Sequence, residues 1–262
     1  MYDFGYQRPT SIAAATKALA AAKDGKFLAG GMTLIPTLKQ RLARQSDLID
    51  LAAIKELAGI REDKGAITIG AMTRHAEVAA GVRAKIPALA QLAETIGDPQ
   101  VRNRGTIGGS IAHNDPAADY PAACLALKAV IVTDRREIDA DAFFKGLFET
   151  ALATGELITG VRFPVPERAA YAKFPNPASR YAIVGVFVAK TGGEARVAVT
   201  SAHRNGAFRV TAMERALAKS WTPDAVVKIA VPAGGLNTDI HAGADYRAHL
   251  ITVMARRAVA AS

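Results

Sequence analysis

Two diglycine segments constrain what this chain can fold into more than any other feature of its sequence. Gly30–Gly31 lies in the segment Ala29–Leu34, between a predicted strand and a predicted helix, and Gly108–Gly109 lies 78 positions further on, in the segment Gly105–Ser110. Glycine reaches positive φ at no steric cost and lets a ligand approach the backbone, and amides that open a following helix can face an anion. Neither segment is a dinucleotide fingerprint or a P-loop. Each alone is also typical of a plain turn, but together they favour a ligand with a long diphosphate held between two loops.

Periodicity and turn residues predict an α/β unit, then an α+β region, then a smaller α+β unit. The first part has helices at 11–22 and 34–42, with Thr10 and Thr33 as N-caps, and strands at 26–29 and 47–51. The middle part has strands at 59–62, 66–70, 129–132, 137–138 and 157–163, helices at 73–80 (Thr73 as cap) and 87–96, and a loop-rich stretch at 97–120. The last part has strands at 181–189 and 195–201 and helices at 212–220 and 244–260. Prolines at 164, 166, 175 and 177 bracket a predicted connector, which places a domain boundary near residue 168.

The net charge of +9 raises the question of nucleic-acid binding. The basic residues are scattered, however, and the densest cluster is only Arg102–Arg104. Aromatic residues make up 6% of the chain and do not interleave with the basic ones, as a single-strand platform would require. We therefore predict no nucleic-acid partner, and a basic surface that steers an anionic cofactor or docks an acidic subunit.

The single cysteine, Cys124, excludes a disulfide framework, a CxxC redox pair and an iron–sulfur site held by this chain alone. We expect it to be a small buried hydrophobe. The most apolar run, Tyr181–Lys190, is about half of what a bilayer requires, so no membrane span is predicted. Met1–Pro9 lacks the basic start and apolar stretch of a signal peptide, which favours the cytoplasm.

Other catalytic or metal chemistry has little support. His113, Asp115 and Asp119 are too few ligands for a metal site, and none is predicted. His75, in a predicted helix, is interpreted as surface or core filler. No nucleophile elbow or ordered Ser–His–Asp set indicates a hydrolase.

Several stretches, in order along the chain, resemble the FAD-binding medium subunit of the molybdenum hydroxylases, a family that includes xanthine, carbon monoxide and aldehyde dehydrogenases. The most specific is Thr-Ile-Gly-Gly-Ser-Ile-Ala-His-x-Asp-Pro-Ala-Ala-Asp at 106–119. Ala-Gly-Gly-x-x-Leu at 29–34 and Ile-Gly-Ala-x-Thr at 69–73 also match. Shorter matches lie at 2–4, 9–11, 156–159, 171–174 and 178–181.

The resemblance implies an FAD-binding domain of the vanillyl-alcohol-oxidase (PCMH) type over 1–167, in subdomains of about 1–55 and 56–167, and a small C-terminal α+β domain over 168–262. It implies that FAD contacts the first segment (Ala29, Gly30, Gly31, Met32, Thr33, Leu34), the stretch with Gly70, Ala71 and Thr73, and the second segment with the loop after it (Gly105, Thr106, Ile107, Gly108, Gly109, Ser110, Ala112, Asp115). It further implies that Asp119 contacts the adenosine end, that Ile158 packs near the adenine, that Lys173 reaches toward the flavin and that Ile96 lies near the cofactor. Met32 and Ile96 depart from the family, in which these positions are often polar and, in some members, aromatic.

The resemblance also implies an electron-transfer subunit of a heterotrimer, with molybdopterin on a large subunit and [2Fe–2S] clusters on a small one, assembled as a dimer of heterotrimers. Electrons would pass from the clusters to FAD and on to NAD, a quinone or oxygen. Since the flavin carries the redox chemistry, no catalytic side chain is predicted. Two alternatives stay open: a stand-alone flavin oxidase of the same fold, and a cofactor-free scaffold.

Overall fold

The computed structural model describes all 262 residues. The chain begins with a small parallel sheet, because its short strands alternate with helices that cross over it. The strands are β1 (Gly5–Gln7), β2 (Gly25–Leu28) and β3 (Asp47–Asp50), in the order β1-β3-β2, with helices α1 (Ile12–Ala21) and α2 (Leu34–Lys39). Both caps predicted for this part of the chain are wrong. The hydroxyl of Ser11, not of Thr10, accepts from the amide of Ala14 at 3.2 Å, and the Thr33 side chain makes no cap bond.

An antiparallel sheet in the order β4-β5-β10-β6-β7 forms the middle of the molecule. Its strands are β4 (Ile60–Asp63), β5 (Ala66–Gly70), β6 (Val130–Thr133), β7 (Glu137–Asp139) and β10 (Ile158–Pro164). Around it lie α3 (His75–Gly81), α4 (Pro87–Glu94), α5 (Pro99–Arg102), α6 (Ile107–His113), α7 (Tyr120–Ala126) and α8 (Ala140–Phe143), followed by a hairpin of β8 (Phe144–Gly146) and β9 (Glu149–Thr150).

The predicted loop-rich stretch at 97–120 contains two short helices, α5 and α6. Side-chain caps explain why they form despite the glycines, since Asp98 accepts from the amide of Val101 and Thr106 from that of Gly109. Thr73, in contrast, does not cap α3. Its hydroxyl bonds the amide and carbonyl of Gly59 at 3.0 and 3.1 Å, and α3 begins two residues later.

The third sheet, in the order β11-β12-β13-β14, carries the C-terminal helices. Its elements are β11 (Arg168–Pro175), β12 (Ala182–Thr191), β13 (Glu194–Thr200), β14 (Phe208–Arg209), α9 (Thr211–Lys219), α10 (Pro223–Val227) and α11 (Ala244–Ala260). The predicted connector is wrong at this point because most of it is strand β11, paired with β12. Pro175 is tolerated at its last position since β11 is an edge strand.

The largest buried cluster is not confined to one sheet. It combines residues of the middle sheet and helices α3, α4, α6 and α7 with Tyr171, Phe187, Ala189 and Ala198 of the third sheet. Cys124 is buried within it, as predicted. A second cluster fills the space between the third sheet and α9, α10 and α11. None of the helices combines the length and apolar character needed to cross a bilayer.

Candidate functional site

The two diglycine segments touch each other in the folded chain. A Cβ added to Gly30 would lie 2.8 Å from the Cα of Gly105 and would overlap the carbonyl oxygen of Arg104. A Cβ on Gly109 would lie 3.3 Å from that of Ala29. The structure therefore brings together two loops that the sequence separates by 78 positions, and glycine is required at position 30 because backbone approaches backbone.

The first segment carries a run of unused hydrogen-bond donors. None of the five successive amides of Gly30–Leu34 has an acceptor within the chain. Gly31 supplies the positive φ of 73° that turns the backbone here, and α2 follows directly. Met32 and Thr33 are exposed, and the Thr33 hydroxyl makes no bond within the chain. Successive free amides in a turn form a concavity that suits an anion.

The second segment differs, because all but one of its amides already have acceptors within the chain. The amide of Ile107 donates to the carbonyl of Thr73 at 3.1 Å, and that of Gly108 to the carbonyl of Ala71 at 2.9 Å. The amide of Gly109 donates to the Thr106 hydroxyl at 3.2 Å. A Cβ on Gly108 would lie 2.5 Å from that of Ala71. The glycines of this segment thus allow α6 to lie directly on residues 71–73.

Gly70, Ala71 and Thr73 form the support beneath α6 rather than an open surface. Ala71 and Thr73 are buried, and the Thr73 hydroxyl is occupied by Gly59. The Ala71 amide donates to the carbonyl of Thr159 at 3.0 Å. These three predicted site residues therefore support the second segment, and none of them presents an open side chain.

Asp119 and Lys173 form one buried ion pair, with side chains that are 4% and 6% exposed. Lys173 Nζ donates to Asp119 Oδ2 at 3.0 Å and to the carbonyl of Thr95 at 3.1 Å, and the Tyr171 hydroxyl donates to Asp119 Oδ1. Burial raises the pKa of Asp119, while Lys173 and Tyr171 act to lower it. The two residues that were predicted to lie near the adenosine end and toward the flavin therefore lie next to each other and form an ion pair.

Asp119 ends an acidic loop, residues 115–119, and the rest of this loop is held by the third sheet. The amide of Ser201 donates to the carbonyl of Pro116 at 2.9 Å, and the Thr200 hydroxyl donates to that of Ala118 at 2.5 Å. Asp115 is half-buried and accepts from the amide of Ala117 at 2.8 Å. The sequence contains no signal for these contacts, since they join residues more than eighty positions apart.

The remaining predicted residues lie at different depths. Ile158 is 3% exposed and belongs to the core, so its side chain is closed to a ligand. Ile96 is half-buried against the same core, whereas Ala112 is exposed and Ser110 is half-buried.

Two further residues near these loops were not predicted as site residues. His75 is buried, and its amide donates to the carbonyl of Gly105 at 3.0 Å. Tyr181 is half exposed, and its pKa is raised by burial and by the charges of Asp115 and Asp119. The sequence indicates these two residues only by their positions, because His75 follows the family-like stretch at 69–73 and Tyr181 ends the one at 178–181.

Known proteins match the chain along nearly its whole length. Residues 2–166 match the family described as the FAD binding domain in molybdopterin dehydrogenase. The chain is 37% identical to the carbon monoxide dehydrogenase medium chain of Hydrogenophaga pseudoflava, over 99% of this chain and 96% of the relative. It is 34% identical to the nicotine 6-hydroxylase medium subunit of Paenarthrobacter nicotinovorans, over 97% and 95%.

Solved structures agree with the sequence relatives. Reconstituted CO dehydrogenase from Oligotropha carboxidovorans has a chain that superposes with a TM-score of 0.88 at 34% identity, covering 99% of this chain and 97% of that one. Quinoline 2-oxidoreductase from Pseudomonas putida 86 has a chain with a TM-score of 0.89 at 28% identity, covering 99% and 96%. With more than half of its residues matched by the family and relatives above 30% identity over nearly all of it, the chain belongs to the FAD-binding medium subunits of the molybdenum hydroxylases.

Proposed function

We propose that this chain holds FAD where its two diglycine segments meet, and that the five free amides of Gly30–Leu34 bind the diphosphate. Those amides carry the proposal, because a folded chain rarely leaves so many adjacent donors unused without a ligand or water to accept from them. The missing Cβ atoms at positions 30 and 109 support it, since they let the two segments lie close together around a ligand. The donors fit a diphosphate, which offers several anionic oxygens.

The proposed site has three parts. The donors are the backbone of Gly30, Gly31, Met32, Thr33 and Leu34, next to Ala29. The facing wall is formed by Gly105, Thr106, Ile107, Gly108, Gly109, Ser110, Ala112 and Asp115. The support behind them is formed by Gly70, Ala71, Thr73, Ile96, Asp119, Ile158 and Lys173.

The proposed role is electron transfer within a larger complex. Flavin supplies the redox chemistry when bound, since it accepts electrons singly and releases them in pairs, while the protein binds and orients it. The electrons would come from [2Fe–2S] clusters on a small subunit and pass to NAD, a quinone or oxygen. A single cysteine in this chain supports placing the clusters elsewhere. Substrate oxidation at molybdopterin would take place on a large subunit.

The wider organisation follows the same proposal. The relatives are medium chains and subunits, which supports large and small partners, and we extend this to a dimer of heterotrimers in the cytoplasm. We divide the chain into an FAD-binding domain over 1–167, with subdomains of about 1–55 and 56–167, and a C-terminal domain over 168–262. The division is supported by the sheets, because the third sheet begins at Arg168.

Replacing Gly30 by alanine tests the cofactor site. A Cβ there would be forced against backbone atoms of Arg104 and Gly105, which cannot give way as a flexible side chain does, so the segments must separate. We expect the FAD affinity of the full chain to fall about tenfold or more. Gly234→Ala is the matched control, because a Cβ at Gly234 meets nothing within 4 Å.

Bound flavin per chain, from absorbance after gel filtration, and a titration with FAD are the measurements. An FAD affinity of Gly30→Ala equal to that of the wild type would contradict the proposed site. A wild-type chain that does not bind FAD would contradict the proposed function. Co-expression with the partner genes separates electron transfer from a stand-alone oxidase. A flavin reduced by a small substrate with no partner present would favour the oxidase.

A further inference from the structure

His75 packs directly against the second diglycine segment. It is the first residue of α3 and is 4% exposed. Its amide donates to the carbonyl of Gly105 at 3.0 Å, and a Cβ added to Gly105 would lie 2.5 Å from His75 Nε2 and 2.8 Å from Cδ2. A side chain at position 105 would therefore collide with the imidazole, and only glycine can lie this close to the ring.

The imidazole also packs against the residue that follows the acidic loop. Its ring centre lies 5.3 Å from that of Tyr120, which is fully buried and directly follows Asp119. His75 Nδ1 and the Tyr120 hydroxyl are buried and have no hydrogen-bond partner within the chain. The ring thus contacts both Gly105 and Tyr120, and its Nδ1 makes no hydrogen bond with either.

We propose that His75 is a positioning residue, whose imidazole sets where Gly105 lies and through it the spacing of the two diglycine segments. Gly30 approaches the backbone of Arg104 and Gly105, so a displacement of Gly105 passes to the segment that carries the free amides. This inference rests on the proposed FAD site, and it gives a role to a residue that the sequence presented as filler.

A size-swap tests the contact. In Gly105→Ala the new methyl group meets the imidazole, and we expect the FAD affinity of the full chain to fall about tenfold. In the double variant His75→Ala, Gly105→Ala the two nearest contacts of the methyl group are gone, and the next is the carbonyl oxygen of Val101 at 3.1 Å. We expect FAD affinity to return to within about threefold of the single variant His75→Ala, a coupling that independent sites do not show.

Gly108→Ala is the matched control, because its Cβ would meet Ala71 and not His75. Adding His75→Ala to Gly108→Ala should not restore the FAD affinity that Gly108→Ala loses. Circular dichroism and melting of the FAD-free chains report folding separately from FAD affinity. If Gly105→Ala does not fold, the double variant must restore the fold, and a double variant that is equally defective contradicts the proposal. If His75→Ala restored the FAD affinity of Gly108→Ala to the same extent, the proposal would also be overturned. His75→Ala would then act by loosening the packing of the whole region and not by relieving a contact with Gly105.

The pH profile provides a second measurement. Burial, and then the nearby charge of Arg102, lower the pKa of His75 from 6.5 to about 4. The other groups that face the ring are the neutral Tyr120 and, beyond it, Asp119. The packed ring is therefore neutral, whereas a displaced ring would bind a proton more readily. FAD affinity should consequently fall as the pH drops from 6.5 toward 4. His75→Gln cannot gain that charge and should lose less affinity than wild type. Equal losses in both chains would contradict the role of the neutral ring. Absence of FAD binding by wild type at neutral pH would instead contradict the proposed function itself.

Discussion

At the scale of single residues, Asp119 shows how a buried charge is tolerated beside the proposed site. A carboxylate that is 4% exposed is stabilised by the ammonium of Lys173 and the hydroxyl of Tyr171, both from β11. Removing one member of such a pair leaves the other charge buried and uncompensated. The resulting loss of stability is larger than the net stabilisation that the intact pair provides. The residue therefore acts mainly on the stability of the chain around the acidic loop.

We predict that Asp119→Ala lowers the free energy of unfolding of the FAD-free chain by about 3–5 kcal/mol. Urea denaturation followed by circular dichroism gives this value. Glu62→Ala is the control, because Glu62 and Lys85 form an ion pair that is about half exposed, and losing it should cost less than about 1 kcal/mol. An Asp119→Ala chain as stable as the Glu62→Ala chain would show that the buried pair does not stabilise the fold.

At the scale of elements, the β8–β9 hairpin is tied to the end of α6 by Asn114. This residue has a left-handed φ of 46°, and its side-chain amide donates to the carbonyls of Gly146 and Glu149 at 2.9 and 2.8 Å. Phe148, at the tip, packs against His113 in a tilted arrangement with ring centres 4.9 Å apart. The hairpin has only a few paired residues of its own, so its order depends on these contacts.

We predict that Asn114→Gly loosens the hairpin while α6 stays folded, because glycine keeps the left-handed turn but removes both hydrogen bonds. The expected cost is about 1–3 kcal/mol, and hydrogen exchange should become faster at residues 144–150. Amides of β12 serve as the internal control within the same experiment. Unchanged exchange in the hairpin would mean that the Asn114 bonds do not order it.

At the scale of the whole molecule, the third sheet and the middle sheet share one core. Tyr171 and Phe187 belong to the same buried cluster as the middle sheet. Arg196 of β13 is 8% exposed and donates to the carbonyl of Leu125 at 3.0 Å and to Asp141 at 2.8 Å. If either sheet unfolded alone, it would expose apolar surface of the other, so the two sheets should unfold together.

We predict a single cooperative thermal transition for the FAD-free chain, in which the calorimetric and van't Hoff enthalpies agree. Scanning calorimetry together with circular dichroism provides the comparison. Added FAD should shift the transition to higher temperature without splitting it. Two resolved transitions would show that the shared core does not couple the two parts.

The sequence by itself predicted what depends on neighbouring residues. The helix at 244–260 and the strand at 66–70 agree with the structure because their patterns are local. The family followed from the stretch at 106–119, and the two diglycine segments identified where to look for a site. The predicted cap at Thr10 failed because Ser11, one residue later, caps α1 instead. The predicted cap at Thr73 failed because its hydroxyl bonds the backbone of Gly59, a tertiary contact.

Only the tertiary structure decided which donors are free and which charges are paired. The two diglycine segments look alike in sequence, yet one leaves its amides open and the other uses them on Ala71 and Thr73. The pairing of Asp119 with Lys173 joins residues 54 positions apart, and it exists because β11 forms an edge strand where proline suggested a connector. Local sequence determines what a backbone can do, whereas the availability of a donor or a charge depends on which distant group the fold brings within hydrogen-bonding distance.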